Sequence, residues 1–295
     1  MVENQQPSPR QNSAQDAGQD VEEQLSRGRP VLRAHWWREL IIIAIFYGLY
    51  TLVRDIRGDR PVSKFQAFHN AKRVIGFERV IGVFHEQQIQ HWFTKDRSFI
   101  RFWDDYYGTA HFVAVIAVLL LLFFFFPIHY RLWRNTLALT NVIALLGFFF
   151  FPLMPPRLLP HGYNFIDTLQ SFGGFWNFSS GPVNSVSNQY AAMPSLHTAW
   201  ALWCALALAE VIRPWWGKVA VFLHPAATVF CIVVTANHYF ADEVAGLAVL
   251  GVAYLLARVL TRSLDRYYNR KDLALLHHIP RRLPQPERCG GRAGV

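Results

Sequence analysis

The chain has 295 residues, 52% of them apolar and 15% aromatic, and a formal net charge of +9. The apolar residues gather into uncharged runs such as Ala114–Pro127 and Leu137–Pro152, which read as membrane spans and argue against one or two ordinary soluble domains. Basic residues in such a chain set topology and contact anionic lipid, so the positive charge does not point to nucleic acid.

Residues 1–34 are rich in Gln, Ser, Pro, Asp and Glu and are expected to form a disordered cytoplasmic tail. No apolar core segment follows Met1, so no cleavable signal peptide is expected, and the first span would serve as the targeting element. Six spans are expected: Leu40–Val53, Ala110–His129, Asn135–Pro152, Pro194–Ile212, Lys218–Ala236 and Phe240–Leu260. Each approaches the roughly 20 residues that a helix needs to cross the hydrocarbon core. The predicted fold is therefore all-α, a polytopic membrane bundle occupying 35–265, followed by a basic cytoplasmic tail over 266–295.

Two connections are long. Within Arg54–Thr109, Val74, Phe77, Ile81 and Phe84 recur at helical spacing, with Lys72, Arg73, Glu78, Arg79 and Glu86 on other faces. That pattern predicts an amphipathic helix lying on the membrane or capping the bundle. The second connection, Leu153–Ala192, opens with Pro155-Pro156-Arg157 and is long enough to cover a site as a lid. The three cysteines, Cys204, Cys231 and Cys289, match no zinc spacing and cannot pair completely.

Arg and Lys flank the N-terminal segment, the second-to-third connection (Arg131, Arg134), the fourth-to-fifth (Arg213, Lys218) and the C-terminal end. With six spans these lie on one side, which predicts cytoplasmic termini. The segment Arg54–Thr109 is basic and falls outside, against the rule, but its length weakens that objection. His197, His238 and Asp242 then share the opposite, extracytoplasmic side of a multi-pass protein of the cell membrane.

Titratable groups at a membrane boundary are costly and point to function. Pro194 suits the first turn of a helix, and the N–H groups of that helix end favour an anion such as phosphate. Ser195 would add a hydroxyl donor, and His197 a proton for a leaving oxygen. His238 and Asp242 stand four residues apart, so on a helix they share a face, and the carboxylate would orient an imidazole nucleophile.

Pro194-Ser195-Leu196-His197, followed by Asn237-His238-Tyr239-Phe240-Ala241-Asp242, resembles the second and third motifs of the type 2 phosphatidic acid phosphatase superfamily. The form of the motifs is similar to the branch containing inositol phosphorylceramide synthase. The resemblance implies that His238 attacks phosphorus and forms a phosphohistidine, that Asp242 orients it and that His197 protonates the leaving group. It implies that Ser195 holds phosphate oxygens and that no metal or other cofactor takes part. The substrate would be a lipid-linked phosphate drawn from the bilayer, and the acceptor water or an alcohol such as inositol. The family's first motif, K-x6-R-P, is incomplete. Arg157 is present, but Phe150 stands at the Lys position and Leu158 at the Pro position. The Arg expected six residues before His238 is Ile232. Arg157 is thus the first candidate for binding phosphate, with Arg54, Arg57 and Arg73 behind it. Tyr107 and His111, at the entrance to the second span, resemble recurring positions of the branch and are expected to line the cavity. The competing reading is a transporter or channel using the His/Asp cluster as a proton or ion relay. The chain shows no inverted repeat and no Gly/Pro-broken pair of spans to favour it.

Overall fold

A computed structural model of the protein describes residues 63–172 and 189–277, together with Trp37, Ile41, Ala44 and Gly48. Most of the first expected span, Arg54, Arg57, the stretch 173–188 of the long loop and residues 278–295 lie outside the described residues.

Among the described residues the regular structure is helical, apart from one isolated parallel bridge between Leu153 and Ala191. The first helix, α1, covers Lys64–Val80, and Ser63 Oγ caps it by accepting from Gln66 N. It buries Ala67, Asn70, Ala71, Val74, Ile75 and Glu78. Of the apolar positions at helical spacing, Val74 is buried, whereas Phe77 is 59% exposed and Ile81 53%. The reason is steric: the two alanines let α1 lie close against the chain after Pro152, where Met154 N donates to Ala67 O and Asn70 Nδ2 to Pro152 O. The bulky side chains are left outward, as suits a helix lying against lipid. Gly82, at φ 75°, ends the helix in a left-handed turn, so Phe84 lies beyond it.

Then follow α2 (Glu86–Phe93), α3 (Arg97–Phe125), α4 (Pro127–Phe150), the short α5 (Thr168–Ser171), α6 (Leu196–Val211), α7 (Trp215–Ala220), α8 (Leu223–Val234) and α9 (Phe240–His277). Among the described residues four helical stretches are long and apolar enough to cross a membrane: Arg97–Phe125, Pro127–Phe150, Trp215–Val234 and Phe240–Leu264. The apolar α6 has 16 residues and is shorter than these. The break between the second and third expected spans falls at Phe126, not beyond His129, because Pro127 has no N–H and opens α4 at its first position. Arg131 and Arg134 therefore lie within the first two turns of α4 rather than in a connection. The last helix also runs well beyond Leu260.

The centre of the bundle is α6, which packs on α3, α4, α8 and α9. It is apolar all round, as a helix enclosed by others must be. Around it Val118, Leu122, Trp133, Trp203, Cys204 and Leu250 form one core. Trp203 Nε1 donates to Trp133 O at 2.9 Å, and Trp133 Nε1 to Glu210 Oε2 at 2.6 Å, so both indoles have their N–H satisfied. Apolar side chains such as Phe112, Ile116, Phe124, Val252, Leu255 and Val259 face outward. In water so wide an apolar surface is unfavourable, whereas in a bilayer it is the lipid-facing side. The protein is a multi-pass membrane bundle.

Two glycines bring the turn before α6 into contact with its neighbours. A Cβ on Gly246 of α9 would lie 2.3 Å from Ser195 O, and one on Gly147 of α4 would lie 2.5 Å from Pro194 Cδ. Both helices therefore hold the Pro194-Ser195 turn at backbone distance.

Candidate active site

The chain leaving α8 turns sharply. Asn237 N and His238 N both donate to Ile232 O, at 2.9 and 3.3 Å, and Ala236 takes a left-handed φ of 53°. For a residue with a Cβ this conformation costs about 1–2 kcal/mol. The turn carries His238 into the bundle, where its side chain is only 4% exposed.

Asp242 follows in the first turn of α9 and is fully buried. Its Oδ2 lies 3.3 Å from His238 Nδ1 and also accepts from Tyr239 N at 3.1 Å. On the other side of the ring, His238 Nε2 lies 3.4 Å from Nδ1 of His197. The three residues thus form a continuous line, carboxylate to imidazole to imidazole. With the Nδ1–H of His238 donated to Asp242, its Nε2 keeps a lone pair directed toward His197.

His197 is clamped by α3. Tyr107 stacks on it at 4.4 Å between ring centroids and 26° between planes, and His111 meets it edge-on at 4.4 Å and 72°. Tyr107 and His111 therefore join the cluster that the motifs predict, as partners of His197.

Ser195 sits at the N-cap of α6. Its Oγ accepts from Thr198 N at 3.4 Å and lies 3.3 Å from Thr198 Oγ1, and its own N–H donates to Asp242 O at 2.9 Å. The residue is fully buried. The structure thus shows Ser195 tying α6 to α9 and setting His197 against His238.

Arg157 reaches the same turn from the long loop. Its backbone N–H donates to Ala236 O at 2.9 Å, its Nε to Asn237 Oδ1 at 3.0 Å, and its Nη1 pairs with Asp167 Oδ2 at 3.1 Å. The guanidinium is thereby held against Asn237, the residue before His238 in the chain. The two positions where the resemblance would place further cations stay apolar. Phe150 is 73% exposed on the outside of α4, while Ile232 is buried in the core of α8. Arg73 is exposed and lines a groove of about 1000 Å3 between α1 and α9, with Phe77, Phe240 and Val244.

Sequence reasoning missed Asn237, Asp167 and two acidic residues under α9. Glu78 Oε1 accepts from Ala241 N at 2.7 Å, and Glu86 Oε1 from Phe240 N at 3.1 Å. Both glutamates are fully buried. Burial, reinforced by the neighbouring Glu86, raises Glu78 to about 8. The stripe Ala67, Ala71, Val74, Glu78 has helical spacing and was the signal that could have shown Glu78 facing inward. Among the described residues no group of three or more His, Cys, Asp and Glu is arranged to hold a metal ion.

Residues 72–256 match the model of the PAP2 superfamily, a stretch that includes His197, His238 and Asp242. The inositol phosphorylceramide synthase catalytic subunit aur1 of Schizosaccharomyces pombe is 27% identical over 171 residues, 52% of this chain and 39% of the relative. The match thus spans well under half of that relative's length. No solved structure matches the chain. The family match covers more than half of the chain, and the chain belongs to the PAP2 superfamily.

Proposed function

We propose that the protein is a lipid-phosphate phosphatase or phosphotransferase that works through a phosphohistidine on His238. The observation that carries this reading is the unbroken line from Asp242 through His238 to His197, within 3.3 and 3.4 Å.

In the first step the lone pair on His238 Nε2 attacks phosphorus. An N–P bond forms and the bond from phosphorus to the leaving oxygen breaks. Protonated His197 gives its proton to that oxygen, and Asp242 stabilises the positive imidazole. In the second step neutral His197 takes a proton from the acceptor hydroxyl, whose oxygen attacks phosphorus and breaks the N–P bond. Microscopic reversibility suits His197 to both tasks. Arg157 supplies positive charge to the equatorial oxygens, where phosphoryl transfer needs it. Water as acceptor gives hydrolysis. The matched relative is named an inositol phosphorylceramide synthase catalytic subunit, which favours transfer to an alcohol over hydrolysis.

The site is assigned to the extracytoplasmic face of the cell membrane. The reading is supported by Arg131, Arg134, Arg213 and Arg258, which lie at the far ends of the helices from His197 and Asp242.

The test is to incubate the purified protein with radiolabelled phosphatidic acid, quench and look for acid-labile phosphoprotein. Label is expected on the native protein and absent from His238→Ala. No label and no phosphate release from any lipid phosphate tried would overturn the assignment. Adding inositol then separates transfer from hydrolysis.

A further inference from the structure

The start of α9 is held in an unusual way. An isolated helix leaves its first amides without partners, and a side chain at the N-cap normally accepts from one of them. Here the residue before the helix is Tyr239, whose hydroxyl is committed elsewhere, donating to Met154 O at 3.0 Å. Three successive amides are met instead by three carboxylates. Tyr239 N donates to Asp242 Oδ2, Phe240 N to Glu86 Oε1 and Ala241 N to Glu78 Oε1. The two glutamates stand 154 and 163 residues from the amides that they cap.

We propose that Glu78 and Glu86 are positioning residues for the nucleophile: from α1 and α2 they fix the first turn of α9 so that Asp242 meets His238 Nδ1. The inference rests on His238 being the nucleophile. Its force comes from the geometry of that contact. At 3.3 Å the His238–Asp242 bond is already at the long end of the range, so a small shift of α9 would break it. Displacements of about 1 Å near a reacting group are worth up to 100-fold in rate.

The two glutamates also have to be compatible with each other. Each keeps its second oxygen buried and without a hydrogen-bond partner, as does Glu243 Oε1 nearby. A neutral amide keeps the oxygen that accepts from the α9 amide and can replace one member, whereas an apolar side chain of the same length cannot accept.

Two readouts test this on the full-length protein in detergent. The first is the proton resonance of His238 Nδ1–H in histidine-labelled protein, which reports the bond to Asp242 without any substrate. The second is kcat and KM for radiolabelled phosphatidic acid. Glu78→Gln is expected to keep the resonance and to hold kcat within about 3-fold. Glu78→Met is expected to lose or shift the resonance and to lower kcat about 10-fold or more, with KM within about 2-fold. Should Glu78→Met not fold, Glu86→Met carries the same test. A folded Met variant with native resonance and kcat would overturn the proposal. So would a Gln variant as damaged as the Met variant, because Gln retains the acceptor. If the native protein turns over no lipid phosphate, the functional reading fails by itself and the resonance still decides the role of the glutamates.

Discussion

Arg157 is held by a planar fork: Nε bonds Asn237 and Nη1 pairs with Asp167. Lysine carries its donors on one nitrogen and cannot reproduce that fork. Arg157→Lys should therefore behave more like Arg157→Ala than like the native protein, lowering kcat/KM for lipid phosphate by about 10-fold or more. A native value in the Lys variant would show that charge alone suffices. Glu78 makes a second prediction, on stability. The folded protein keeps a proton on Glu78 up to about 8, while the unfolded chain releases it above about 4.5. Between those values the native state holds more protons, so stability is highest at the acid end and falls as pH rises through the window. Thermal unfolding in detergent should show this slope in the native protein and a flatter one in Glu78→Gln. At this scale the sequence reveals what is local or part of a motif. His238 and Asp242 are four residues apart, and the Pro194–His197 motif supplies His197. The caps of Phe240 and Ala241 were not legible, since their partners come from helices far earlier in the chain.

At the level of elements, the site depends on α4 and α9 approaching the Pro194-Ser195 turn. Gly246→Ala would put a methyl into Ser195 O, a backbone atom that cannot move aside without shifting His197. It should cut activity severely and lower the melting temperature by several degrees. Gly251→Ala, on the same helix, meets nothing within 4 Å and should leave activity unchanged. The pair separates close approach from the general effect of adding a methyl to a helix, which by itself favours the helix by about 0.5–1 kcal/mol. The long spans were legible because composition alone marks them. The buried face of α1 was less so, because hydrophobicity favours Phe77 and Ile81 over the stripe Ala67, Ala71, Val74, Glu78 that packs inward. The start of α4 was misplaced for a similar reason: apolar residues continue through Phe126 and Pro127, and the proline, not a change in hydropathy, sets the break.

For the molecule as a whole, the remaining question is which side of the membrane holds the site. The helices answer half of it. His197 opens α6 and Asp242 opens α9, whereas Arg213 follows the end of α6 and Arg258 lies near the far end of the apolar part of α9. The cluster of His197, His238 and Asp242 and these arginines are therefore at opposite ends of the bundle. The proposed orientation, with the arginine end in the cytoplasm and the site outside, follows the positive-inside tendency. Two single cysteines check this in a background with Cys204, Cys231 and Cys289 replaced by serine. Gly162→Cys lies in an exposed turn of the loop that carries Arg157, with no atom within 4 Å of the new Cβ. Arg213→Cys lies in the exposed connection after α6. On intact cells a membrane-impermeant thiol reagent should label Gly162→Cys and spare Arg213→Cys, and permeabilisation should make both reactive. The reverse pattern would place the histidines in the cytoplasm. The acceptor would then have to be a cytoplasmic hydroxyl or water, with the chemistry of His238 and His197 unchanged.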